Sequence, residues 1–132
     1  LTANLPASMR ELYDVYEAIL RERGRDDLLP AVAAHIAHKR KPVATLVRWL
    51  QAAGFRDVRP HEQSFRLRFA SGTALFQAWF MRLGFTSGWA SALPVELVSE
   101  VFDEIAARLD AHAESHGEIA LTIPFVCIEA TR

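Results

Sequence analysis

The stretch Pro42-Val43-Ala44-Thr45-Leu46-Val47-Arg48-Trp49-Leu50-Gln51-Ala52-Ala53-Gly54-Phe55-Arg56-Asp57-Val58 constrains the fold more than any other part of the chain. Pro42 suits the first turn of a helix, where its missing N–H has no intrahelical partner to lose. Val43, Leu46, Val47 and Leu50 then form an apolar stripe at helical spacing. Gly54 is the stop, and Phe55 is placed to fold back on the last turn in a Schellman-type contact. The chain next runs extended from about Val58 to Phe69. There Phe65, Leu67 and Phe69 alternate with Arg66 and Arg68, so one face is apolar and the other wet. Pro60 puts the start of this segment at a sheet edge, because it has no N–H to give a ladder. At the other end, Ile119-Ala120-Leu121-Thr122-Ile123-Pro124-Phe125-Val126-Cys127-Ile128-Glu129-Ala130 reads as a terminal strand. Its apolar phase changes after Ile123, and a bulge at Pro124-Phe125 is the expected cause. The two extended segments are expected to pair antiparallel.

Helices account for most of the remainder. Ser8-Met9-Arg10-Glu11 has the form of a capping box, followed by Leu12, Val15, Tyr16 and Ile19 at helical spacing and by Gly24 as the stop. Asp26 or Asp27 is expected to cap a second helix carrying Leu29, Val32 and Ile36. Lys39-Arg40-Lys41 falls near its C-terminal end, where positive charge is favourable. After Ser71-Gly72, the residues Leu75, Phe76, Trp79, Phe80 and Leu83 share one broad helical face, closed by Gly84-Phe85. Thr86 to Leu93 is expected to be a loop. Pro94 opens the longest helix, with Val98, Val101, Phe102, Ile105 and Leu109 as its stripe and Gly117 at its end.

Bulk properties exclude several classes. Of 132 residues, 51% are hydrophobic, enough for a core, and 15 basic against 16 acidic side chains leave no global field to draw nucleic acid or an anionic membrane. No apolar run approaches the roughly 20 residues that span a bilayer, and no basic leader with an apolar core is visible. The lone Cys127 has no internal disulfide partner and reads as a buried thiol, so a reducing cytoplasmic setting is expected. The chain begins on Leu1, which fits a processed or cut chain.

The helix–Gly-Phe–strand unit ("LVRWLQAAGFRDV") and the long closing strand together resemble the C-terminal half of a class I S-adenosylmethionine-dependent methyltransferase. Leu1-Thr2-Ala3-Asn4-Leu5-Pro6 resembles the end of that family's fifth strand. The resemblance implies an α/β fold: the C-terminal part of a Rossmann-like sheet, with about five helices and an antiparallel strand pair. Val58 to Phe69 would be the sixth strand and Ile119 to Ala130 the seventh, reversed beside an otherwise parallel sheet. Residues 1–132 would form a single partial domain, with 70–93 as a helical insertion covering the substrate. The cofactor would be S-adenosylmethionine in the parent enzyme, with none expected for this chain alone. The six glycines sit at predicted element ends and never as a G-x-G pair, whereas a nucleotide site needs close backbone approach.

Candidate chemistry is sparse. Trp79, Phe80, Met81 and Arg82, with Trp89 nearby, form the densest aromatic cluster. Trp79 and Trp89 could hold a flat acceptor and Arg82 an anionic group, or the cluster could pack the insertion onto the sheet. Asn4 follows the first strand fragment, and ligands sit beyond the carboxyl ends of parallel strands. Asn4, Trp79, Arg82 and Trp89 are therefore the substrate-binding candidates. His35 and His38 have a spacing that serves metals, but no third ligand is evident, so a solvated helix end is the plainer reading. Lys39-Arg40-Lys41 is too short for a nucleic-acid patch and reads as a surface helix terminus. Cys127 lacks a visible base, Glu100, Asp103 and Glu104 read as a solvated face, and no catalytic residue can be named.

Three functional readings stand at this point. The chain is the acceptor-side portion of a methyltransferase, inactive alone. Or it is a stand-alone, non-enzymatic α/β module that binds a ligand or partner. Or it is one subunit of a split methyltransferase. A sheet cut at its fifth strand also implies self-association, by dimerisation or strand exchange.

Overall fold

A computed structural model describes all residues, Leu1–Arg132. The elements run β1 (Thr2–Asn4), α1 (Arg10–Glu22), a 3₁₀ turn (Asp26–Leu28), α2 (Leu29–Lys39), α3 (Val43–Ala52) and β2 (Arg56–Phe69). Then come α4 (Gly72–Gln77), α5 (Trp79–Met81), a π turn (Arg82–Thr86), α6 (Ser87–Ala90), α7 (Val95–His116) and β3 (Ile119–Thr131). The π turn fuses α5 and α6 into one bent helix. The class is mixed α/β, as expected, with a three-stranded sheet in the order β1-β3-β2. Both outer strands run antiparallel to β3, so β1 and β2 are parallel to each other with the last strand inserted between them.

The α3–β2 junction forms as its sequence dictates. Gly54 takes φ +87°. Its N–H donates to the Gln51 carbonyl and that of Phe55 to the Leu50 carbonyl, both at 3.0 Å. These are the two bonds of a Schellman end, and they turn the chain directly into β2. Pro60 lies on β2, an edge strand, where its missing donor costs no ladder bond.

The expected bulge at Pro124-Phe125 is absent. Pairing of β2 with β3 is continuous from Arg59↔Glu129 to Phe69↔Ile119, and the one register shift lies between Arg56 and Arg59. There Asp57 has φ +51°. The phase change arises because β3 is buried on opposite faces at its two ends. Ile119, Leu121 and Ile123 face the main core, made chiefly with α1 and α7. Val126 and Ile128 face a smaller cluster with Leu5 and Leu46, against which Val43, Val47 and Leu50 of α3 pack. Strict alternation then requires odd positions inward at one end and even positions at the other.

The capping box is a second correction. Helix α1 starts at Met9 in a left-handed conformation (φ 61°), with no side-chain cap. Ser8 instead donates from Oγ to the Pro124 carbonyl at 3.1 Å, and the Thr122 N–H donates to both Glu11 carboxylate oxygens at 3.1 Å. The Leu5 and Met9 N–H groups donate to the Pro124 and Thr122 carbonyls, each at 2.8 Å. Strand β1 is only three residues long, so the edge of β3 beyond it would be left unpaired. The Leu5–Glu11 turn satisfies that edge, which outweighs a local cap. Likewise neither Asp26 nor Asp27 caps α2, whose start has no side-chain cap. Asp27 pairs with Arg25 at 2.9 Å.

The 70–93 segment departs furthest from expectation. The helix breaks at Ala78, which is extended (φ −60°, ψ 122°). The stretch expected as a loop is mostly helical through Ala90. The break lets Phe80 stack on Phe69 of β2, with ring centroids 6.1 Å apart. It also drives Leu75, Met81, Trp89, Ala92 and Leu93 into the main core against α7, which buries Val101, Ile105 and Leu109 as its stripe foretold.

Candidate functional site

The C-terminal end of α2, the middle of α3, the end of β1, the π turn and the start of α6 line a cleft of about 520 Å³. Its wall holds five nitrogen bases and no carboxylate: His35, His38, Lys39, Arg40 and Lys41. Asn4, Ser87, Trp49 and Phe85 complete the polar and aromatic lining.

Arg40 is the unusual member. It is only 6% exposed, yet no carboxylate lies within 4.0 Å of its guanidinium. Nη1 donates to the Tyr13 hydroxyl at 3.2 Å, and the guanidinium carbon stands 5.3 Å from the Tyr13 ring centroid. The sulfur of Met9 is 4.0 Å from Nη2. These are neutral partners. Arg40 also borders a second groove with Glu17, but that carboxylate is held by Arg10 at 3.0 Å and Arg21 at 3.2 Å. Lys41 donates from Nζ to the Ala37 carbonyl at 2.6 Å, which caps the end of α2.

The field in the cleft is visible on His35. Its pKa lies below the ordinary histidine value, first because burial disfavours its charged form, then through Arg40, Lys39 and His38. A Cβ on Gly88 would come within 2.5 Å of the His35 ring, so α6 meets α2 here in a close contact that a larger residue would keep only by displacing that ring.

Tyr13 joins the cleft to the core. Its hydroxyl also accepts from Trp89 Nε1 at 3.0 Å. The Trp89 carbonyl accepts from the Tyr16 hydroxyl at 2.9 Å. Burial, then the neighbouring Tyr13, raises the Tyr16 pKa.

The structure separates the four substrate-binding candidates. Asn4 lies in the basic cleft. Trp79 and Arg82 lie together, with Leu83 and Thr86, on a shallow outer depression, where Trp79 is 73% exposed. Trp89 is a core residue at 1% exposure, edge-on to Tyr13 and against Phe85. Cys127 is half-buried on β3, opposite Thr2 and His61. Glu100 and Glu104 are on the surface of α7 but engaged, by Arg23 at 2.8 and 2.9 Å. No three His, Cys, Asp or Glu side chains are grouped to hold a metal ion.

Reading Lys39-Arg40-Lys41 as a surface terminus missed Arg40. The signal was present: Val32, Ile36 and Arg40 repeat every four residues, so the apolar stripe of α2 runs straight into Arg40. Gly24, Gly54 and Gly117 take positive φ at helix ends, and Gly72 and Gly88 are packed against Ala106 and His35.

No protein-family model, curated protein or solved structure matches this chain.

Proposed function

We propose that this chain is the acceptor-side portion of an S-adenosylmethionine-dependent methyltransferase, supplying the closing strands and the acceptor wall. One observation carries the reading: β3, last in sequence, lies between two strands that are parallel to each other. A parallel sheet closed by one reversed strand is what the methyltransferase resemblance requires. Helices cover both faces of β3, which fits a doubly wound sheet. The cleft lies at Asn4, the carboxyl end of β1, where such sheets place ligands. Methyl transfer depends mainly on holding acceptor and donor in line, and holding the acceptor is the part assigned to these residues. The donor site belongs to the remainder of the parent enzyme.

On this reading the chain is inactive alone. It self-associates through the outer edge of β1, where no strand pairs, and through the exposed Trp79 and Leu83. No helix is long and apolar enough to cross a membrane.

Calorimetric titration of S-adenosylmethionine into the product of the full reading frame tests the proposal. Binding by that product, with none by residues 1–132, is expected. A full product that fails to bind would overturn it in favour of a stand-alone ligand-binding module. Binding that appears only when a second chain is added would favour the split-enzyme form.

A further inference from the structure

We propose that the cleft binds the acidic group of a small organic anion, a carboxylate or a phosphate, with Arg40 at its base as the counter-charge. A buried guanidinium is costly unless an anion pairs with it. The chain leaves Arg40 with a hydroxyl, a thioether and a ring face, while the more exposed Arg10, Arg23, Arg68 and Arg108 are all matched to carboxylates. The missing partner is therefore supplied from outside, through the side of the cleft on which Lys39, His38 and His35 also stand.

The lining defines the rest of the ligand. Trp49 is 53% exposed and stands at the cleft with Phe85, giving a flat apolar wall beside the charged base. Asn4 and Ser87 offer neutral hydrogen-bonding groups. The fitting ligand has one acidic head and an aromatic or otherwise flat body. As an anion site the assignment stands on the cleft alone; that the anion is the methyl acceptor rests on the methyltransferase reading.

The test is a titration of residues 1–132 with benzoate, phenyl phosphate and benzamide, followed by NMR at the Arg40 side-chain N–H, the Trp49 indole N–H and the imidazoles of His35 and His38. Benzoate or phenyl phosphate should shift these resonances, and whichever binds more tightly identifies the head group. Benzamide, equal in shape to benzoate but uncharged, should not shift them. Arg40→Met should weaken anion binding at least tenfold. Ser87→Asp sets a carboxylate at the exposed start of α6 beside the cleft, and should likewise abolish anion binding while leaving the fold intact. Equal shifts from benzamide, no shifts from either anion, or undiminished binding in both variants would overturn the proposal. Calorimetry with S-adenosylmethionine is independent of these outcomes, so failure of the methyltransferase reading is distinguishable from failure of the anion site.

Discussion

Replacing Tyr13 by Phe should be far more damaging than the loss of one hydroxyl suggests. The Tyr13 oxygen accepts from two donors, the Trp89 indole N–H at 3.0 Å and an Arg40 N–H at 3.2 Å. Trp89 is buried in the core, so no water replaces the acceptor its indole loses, whereas Arg40 borders the cleft and can be solvated there. A buried donor left unsatisfied costs about 1–3 kcal/mol. The stranded Trp89 donor, with a smaller loss at Arg40, gives an expected cost of about 2–3 kcal/mol, a large part of the roughly 5–15 kcal/mol that holds a typical domain together. Tyr16→Phe is the control. It also removes a buried hydrogen bond, but the Trp89 carbonyl it abandons keeps the Ala92 N–H at 3.3 Å. Its cost should be near 1 kcal/mol. Urea unfolding followed by circular dichroism measures both. With a slope of roughly 1–2 kcal/mol/M for a domain of this size, Tyr13→Phe should lower the midpoint by about 1–3 M without altering the slope. A shift under 0.5 kcal/mol, or one equal to that of Tyr16→Phe, would refute the reasoning.

Further outcomes follow from other contacts. A Cβ on Gly72 would stand 2.4 Å from the Ala106 carbonyl oxygen and 2.7 Å from Leu109 Cβ. Gly72→Ala should therefore cost about 1–3 kcal/mol by overpacking α4 on α7. Gly84→Ala meets nothing within 4 Å and should be neutral or slightly stabilising. Asp110 accepts from the Thr73 N–H and hydroxyl, which together hold its pKa below the ordinary carboxylate value. Its contribution is present above the unfolded carboxylate pKa and is lost as pH falls through the depressed folded value. Asp110→Ala should thus lower Tm at neutral pH and make no difference in strong acid. His35 has the opposite chemistry: its folded pKa lies below the unfolded one. In the window between them the unfolded chain takes up a proton that the folded chain does not, so stability falls as pH drops below the ordinary histidine value. His35→Gln should flatten that slope in melts between pH 7.5 and 5.5.

Much of the framework was legible because it depends on local rules. Gly54-Phe55 dictates its own Schellman end, and the Phe65-Leu67-Phe69 alternation dictates an edge strand with one wet face. The stripe of α7 needed only its helical period. What was misread depended on partners distant in sequence. Ser8 and Glu11 look like a cap until the edge of β3, more than a hundred residues away, competes for them. The phase change in β3 looks like a bulge unless the two helical layers are known to cover opposite faces. The cleft was half legible. Asn4 was placed at a strand end by topology, while Arg40 was hidden by reading three consecutive basic residues as one surface feature. Trp79 and Trp89 fall in one aromatic-rich stretch of sequence, and the break at Ala78 sends one outward and the other into the core.

The central claim, that β1 is a strand of a larger parallel sheet, is tested most directly by amide hydrogen exchange at its edge. Leu1 exchanges both backbone bonds with Ile128, and the Leu5 N–H reaches the Pro124 carbonyl. Alternation then leaves the Thr2 and Asn4 N–H groups directed away from β3. In residues 1–132 at low concentration these two amides should exchange freely while Ala3 and Val126 are protected. In the product of the full reading frame, Thr2 and Asn4 should gain protection of at least a hundredfold as another strand pairs with them. Free exchange at Thr2 and Asn4 in that product would contradict the account.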